Sequence, residues 1–271
     1  MTDMMPVDAH QTPGALLIPE SNPLDSPGLL VRGSAGLAIL GTTVAVIDHL
    51  WLSLPAAGVA ELGTVSFGGW MWALIHVVGA LGSLVIGHRL LTWAYPLANL
   101  TGLGASNPAA AIQLTAHRLA AAAIAGACWG GWDRDATLIA VVFTILAWVA
   151  LVLICAGHRL VTRFRDHEEI AAGNLAAALA SAGLHLAVAL VTVRALQGQF
   201  LGWWPSVAAF GLALVWVVAL YPLRQLIVAR LILRMTPHAM DRAVAVQRAV
   251  WIGAVEGLGY LLTAMAVVTA W

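Results

Sequence analysis

The chain has 271 residues, of which 61% are hydrophobic and 10% charged, with 13 basic and 13 acidic side chains and no net charge. Soluble domains are about 45–50% apolar and about 25% charged, so an ordinary water-soluble core is excluded and a bilayer takes its place. The charge balance also removes the electrostatic case for nucleic acid.

In chain order, residues 1–28 come first. They carry Pro6, Pro13, Pro19, Pro23 and Pro27, several acidic residues and no arginine or lysine. A signal peptide has a cationic start and then an apolar run. This stretch has neither, and it reads as a disordered or loosely docked arm. Apolar stretches of about 20 residues follow, each long enough to cross the hydrocarbon as a helix. They cover residues 33–54, 67–88, 108–130, 136–157, 171–194, 205–224 and 243–270. The expected fold is all-α, a polytopic membrane bundle of seven transmembrane helices.

A short pattern recurs along it. Asn107-Pro-Ala-Ala-Ala-Ile-Gln113 returns 67 residues later as Asn174-Leu-Ala-Ala-Ala-Leu-Ala180, and 67 further on as Asp241-Arg-Ala-Val-Ala-Val-Gln247. A fixed period marks a repeated structural unit. The expected organisation is an extra helix with its outer loop (29–66), then three two-helix repeats at 67–131, 132–203 and 204–271. Two spans per unit make the repeats parallel, unlike the inverted repeats of many transporters. Asn107, Asn174 and Asp241 each open a second helix, where a side-chain oxygen can cap the first turn.

Arginine placement sets the expected orientation. Arg32, Arg89, Arg159, Arg163, Arg165, Arg224, Arg230, Arg234 and Arg242 fall on one side, against Arg134 and Arg194 on the other. The positive-inside rule makes the richer side cytoplasmic. The N-terminus is then inside and the C-terminus outside, as expected for a multi-pass protein of the bacterial inner membrane. Trp51, Trp70, Trp72, Trp129, Trp132, Trp203, Trp204 and Trp271 all fall at the outer span ends, in the headgroup layer that tryptophan prefers. Small residues at four-residue spacing predict close helix packing: Gly79, Ser83 and Gly87; Gly173, Ala177 and Ser181; Gly253 and Gly257. Cys128 and Cys155 fall near opposite ends of adjacent spans, too far apart for a disulfide.

The segment Glu169-Ile-Ala-Ala-Gly-Asn-Leu-Ala-Ala-Ala-Leu-Ala-Ser-Ala-Gly183 resembles the bacterial membrane family called domain of unknown function 350, which includes small proteins of the YjfL type. Val255-Glu256-Gly257 followed by Tyr260 is similar to that family's terminal copy. The resemblance covers about residues 73–271, with Asp241 in place of the family's Asn. It implies an integral, oligomeric inner-membrane protein and carries no established activity.

Ionisable groups inside spans cost about 2.5–3.5 kcal/mol on insertion scales and face the protein interior. Here they are Asp48, His49, His76, His117, Arg118, His185, Arg248 and Glu256. Arg118 and His185 are 67 residues apart, and the same offset leads to Ile252, one turn before Glu256. Units packed around one axis would bring Arg118, His185 and Glu256 together at mid-depth. The expectation is an Arg118–Glu256 ion pair with His185 nearby. Such a group either specifies packing or, with Asp48, lines a polar path for an ion, proton or small cation.

Three function classes follow. The first is an oligomeric channel-like, transporter-like or sensing component. The second is a non-catalytic assembly subunit of a larger membrane complex, docking a cytoplasmic partner through its arginine-rich loops. The third is a haem-binding redox subunit, with His49, His76, His117 and His185 as candidate haem or metal ligands. No Cys-x-x-Cys-His occurs, so covalent haem is excluded. Neither a phosphate loop, a dinucleotide fingerprint, a nucleophile elbow nor a zinc spacing is present. No cofactor and no catalytic residue are therefore expected, and the expected partners are lipid and further copies of the chain.

Overall fold

The computed structural model describes residues 27–52, 67–94, 106–131, 133–161 and 164–270. The proline-rich arm up to residue 26, Trp132, Arg163 and Trp271 lie outside the described residues, as do the side chains of His49, Trp51, Arg159 and Arg224. Among the described residues every regular element is a helix. These are α1 (Pro27–Leu52), α2 (Phe67–Ala94), α3 (Pro108–Cys128), α4 (Arg134–Val161), α5 (Asp166–Ala171), α6 (Leu175–Leu196), α7 (Trp203–Arg224), α8 (Pro237–Ala245) and α9 (Val250–Thr269). A π-helical segment, Gln225–Ile232, continues α7. Pro222 lies just ahead of it. A proline inside a helix removes one backbone donor and crowds the preceding turn, and a wider turn accommodates both effects.

Contacts fix the direction of each helix. On α1 and α3, Ser34 meets Arg118, Thr42 meets Ala122, and Ala45 meets Gly126. On α6 and α9, Ala176 meets Gly253 and Gly183 meets Gly257. In both pairs the contact positions advance together, so the helices run parallel. Asn107 reaches the carbonyls of Ile170 and Ala171, just ahead of α6, and His117 touches His185. Thus α3 and α6 are parallel too. Helices α1, α3, α6 and α9 form one row with a common direction. A second row runs the other way: just beyond α3, the Trp129 ring rests on Gly79 and Gly131 faces His76, both in the first half of α2. Within that row α2 and α4 are parallel, since His76 meets Thr137 and Gly87 meets Trp148. Phe143 of α4 packs edge-on against Phe210 of α7.

Helix α6 is the centre of the molecule. In its apolar window 78% of residues are buried, against 22% for α1 at the row's end. Aliphatic side chains face outward around the periphery, among them Leu40, Leu74, Val85, Leu153, Leu212 and Leu262. Among the described residues five helices are long and apolar enough to cross a membrane: Leu30–Asp48, Phe67–Ala94, Arg134–Gly157, Leu175–Leu196 and Val250–Thr269. Helix α3 is outside that group because it carries Gln113, His117 and Arg118. The apolar run of α7 is shorter, Trp203–Val218.

Two expected boundaries move. The span expected from residue 171 starts at Leu175, because Gly173 belongs to the turn that ends α5. Gly173 has φ +79, and the amides of Gly173 and Asn174 bond back to Ile170 and Glu169. This left-handed helix end favours glycine. The span expected from residue 243 starts at Val250, because α8 and a turn precede it.

Candidate functional site: a buried histidine pair

Asn107 and Asn174 shape the entry to the inner row. The Asn107 side-chain oxygen accepts from the amides of Ala109 and Ala110, and that of Asn174 from Ala176 and Ala177. Each caps its helix. Their amide nitrogens do a second job. Asn107 donates to the last carbonyls of α5, at Ile170 and Ala171. Asn174 donates to Val244 and Ala245 at the end of α8, and to the Glu169 carboxylate. One side chain thereby satisfies orphan groups of two helices.

The expected third cap is corrected. Asp241 lies inside α8, Ala249 stands before α9, and no side chain caps that helix. Helix α6 begins 67 residues after α3 (108 to 175), but α9 begins 75 after α6 (175 to 250). Counted from the helix starts, the α9 residue level with Arg118 and His185 is Tyr260, 1% exposed, and not Ile252.

Deeper in the row, Gln113, His117 and His185 each have 0% exposure. The Gln113 amide nitrogen lies 2.8 Å from His117 Nε2 and 3.3 Å from His185 Nδ1. His185 Nδ1 is also 2.7 Å from the Ser181 carbonyl, and the two imidazole centroids are 4.6 Å apart. A carbonyl only accepts, so His185 Nδ1 carries the proton and donates to Ser181. Gln113 and His117 Nε2 share a hydrogen bond whose direction follows the His117 tautomer.

The other expected site residues divide around this pair. Arg118 turns away from α9, and its guanidinium donates to the Val31 carbonyl and the Ser34 hydroxyl of α1. A helical side chain leans toward its own N-terminus, and a long cation follows that lean to reach polar atoms. Glu256, 5% exposed, sits on α9 next to the glycines that press against α6. The two are on helices flanking opposite sides of α6, so the expected Arg118–Glu256 ion pair is not formed. Asp48 is exposed on α1, apart from the cluster. His76 is buried, bonded to the Thr137 hydroxyl at 3.0 Å, and packed edge-on against Trp129.

These positions also bear on one of the pairings considered for haem, since the His49 side chain lies outside the described residues. Two imidazoles that share one iron must stand on opposite faces of the macrocycle, but His117 and His185 touch each other. His76 lies elsewhere, between α2 and α4. Among the described residues no group of three or more His, Cys, Asp or Glu side chains converges on a point. Cys128 and Cys155 are not joined in a disulfide.

Outside the spans, Arg248 lies 3.8 Å from the Glu169 carboxylate and donates to the Ala172 carbonyl at 3.5 Å. Its φ of +52 is left-handed, a strained backbone for a side-chain-bearing residue. Arg165 sits 2.7 Å from Glu168 on the exposed face of α5. Their hydrogen bond holds the Glu168 carboxyl below the usual carboxylate range and raises the Arg165 guanidinium.

Gln113 escaped the sequence reading because it is neutral and closes a repeated motif. The available signal was its i, i+4 spacing with His117 on an alanine-rich helix, which puts both on one face.

The family model described as Domain of Unknown Function (DUF350) matches residues 131–271, which include α4 to α9. The chain belongs to the DUF350 family. Within the DUF350 match lie Ser181, His185 and Glu256, whereas Gln113, His117 and Arg118 precede it. No curated protein and no solved structure matches the chain.

Proposed function

We propose that this DUF350 protein is a seven-span subunit of an oligomeric inner-membrane assembly, with a channel-like or transporter-like role whose working ion is the proton. The observation that carries this reading is the Gln113–His117–His185 contact at mid-helix depth, fully enclosed by protein. A hydrated metal ion needs a wet path, and groups with no exposure offer none. A proton needs only a chain of hydrogen-bonding groups, and histidine titrates nearest neutrality. Buried Glu256 and Tyr260 on α9 extend the polar set along the same row. The arginine asymmetry supports a cytoplasmic N-terminus, and the matching caps of α3 and α6 support tandem parallel hairpins at 67–131, 132–203 and 204–271.

The test is proton flux in proteoliposomes carrying an internal pH-sensitive dye. The wild-type protein should dissipate an imposed pH gradient. His185→Ala and Glu256→Gln should slow this at least tenfold while the protein still assembles. Wild-type vesicles no leakier than empty ones would sink the proton role and leave the assembly-subunit reading. A specific observation favours that second reading: the Glu169, Arg248, Arg165 and Glu168 charges cluster at one end of the rows, where a soluble partner would meet them.

A further inference from the structure

The outer row is not closed. Between α2 and α4 lies a groove of about 660 Å³, lined on α2 from Gly79 to Trp93 and on α4 from Val141 to Leu153. The α2 wall spans ~21 Å at ~1.5 Å per residue. Its floor consists of the Trp129 and Trp148 indoles, which rest on Gly79 and Gly87. A methyl group at either glycine would overlap the ring above it. The small-residue stripe of α2 is therefore filled from within the chain, and it offers no close-approach face to a helix from another molecule.

The chemistry of the walls narrows the occupant. Ser83 and Thr144 supply the hydroxyls of the lining, and Ser83 donates its own to the Ala80 carbonyl. Both indole N–H groups are covered by protein. Nothing in the groove favours a polar ligand over a hydrocarbon chain. Exposed Ile86, Ile145, Val149 and Leu153 line it, so it opens where aliphatic side chains face outward. At one end, Leu90 and Trp93 line the groove, and exposed Arg89 follows lining Ile86 by three residues and precedes Trp93 by four, at the edge of the same helix face. Tryptophan with arginine at a helix end fits the headgroup layer, and arginine is the natural donor to a phosphate.

The geometry points to a phospholipid-binding site, with one acyl chain lying in the α2–α4 groove over Trp129 and Trp148 and the headgroup phosphate held by Arg89. This lipid is a bound component of the fold, separate from the proton role assigned to the inner row.

The experiment uses the full chain, extracted in mild detergent, delipidated and titrated with phosphatidylglycerol under native mass spectrometry. The wild-type protein should retain one lipid per chain after detergent release. A Cβ at Gly82 has nothing within 4 Å, and Gly82 lines the groove, so a leucine there occupies part of the acyl-chain path. Gly82→Leu should abolish the retained lipid, while the delipidated variant melts like delipidated wild type. Arg89→Gln, which leaves the groove intact, should weaken retention about tenfold by removing a charged donor. Retention by Gly82→Leu equal to wild type overturns the site. So does wild-type protein that holds no lipid, or a dimer mass that Gly82→Leu abolishes, which would assign the groove to a second copy. If Gly82→Leu fails to fold, undiminished retention by Arg89→Gln still overturns the headgroup assignment.

Discussion

Asn174 carries more of this fold than any charged residue near it. Its oxygen caps α6, and its nitrogen ties the end of α8 to that cap. Removing an asparagine cap costs about 1–2 kcal/mol, and here it also strands a buried carbonyl acceptor. Asn174→Ala should therefore lower the melting temperature clearly in detergent. Asn174→Asp keeps the capping oxygen but sets a carboxylate against Glu169 and the Val244 carbonyl, so it too should melt below wild type. Wild-type melting of Asn174→Ala would show that the cap and its donor contribute nothing. The cap was legible in the sequence because it bonds two and three residues ahead. The donor half was not, since it reaches 70 residues along the chain. Asp241 failed as a cap for a related reason. A constant offset was carried across a stretch that the fold lengthens by α8 and its turn. Arg118 and Glu256 were legible as buried or half-buried ionisable groups, but their partners depended on which helices flank α6.

At the scale of elements, the α6–α9 contact brings backbone against backbone. A Cβ on Gly257 would overlap the Leu179 carbonyl, and one on Gly253 the Ala176 backbone. Overfilling a close-packed contact costs about 1–3 kcal/mol. Gly257→Ala should accordingly destabilise the protein in thermal unfolding. Gly211→Ala on α7, where a Cβ meets nothing within 4 Å, should leave it unchanged within about 0.5 kcal/mol. Equal melting temperatures for the two variants would refute the tight interface. Sequence spacing marked Gly253 and Gly257 as a packing face. It marked Gly79, Ser83 and Gly87 in the same way, yet two of these seat indole rings instead of a helix. Spacing shows that something comes close, and the shape opposite decides what it is.

Across the whole molecule, two antiparallel rows place the helix ends at two levels. The turn at Ala172 lies at the start of the inner row and Gly198 just past its end. In a chain cleared of Cys128 and Cys155, a cysteine at Gly198 should react with an impermeant maleimide on intact cells. A cysteine at Ala172 should react only after lysis. Equal labelling of both would defeat the arrangement in a membrane. The same two-row layout accounts for α1, which sequence periodicity left as an additional helix. It packs on α3 as α3 packs on α6, and it completes the inner row.

The residues by themselves determined that the chain is helical and made for lipid, where its capping turns fall, and which small residues allow close approach. These properties follow from composition and from interactions within one or two helical turns. Only the tertiary structure decided that Gln113 joins His117 and His185, that Arg118 turns to α1, and that two tryptophans floor a groove. Each of these is a meeting between helices far apart in the chain. In an apolar setting many such pairings suit the same pattern, and packing shape selects among them.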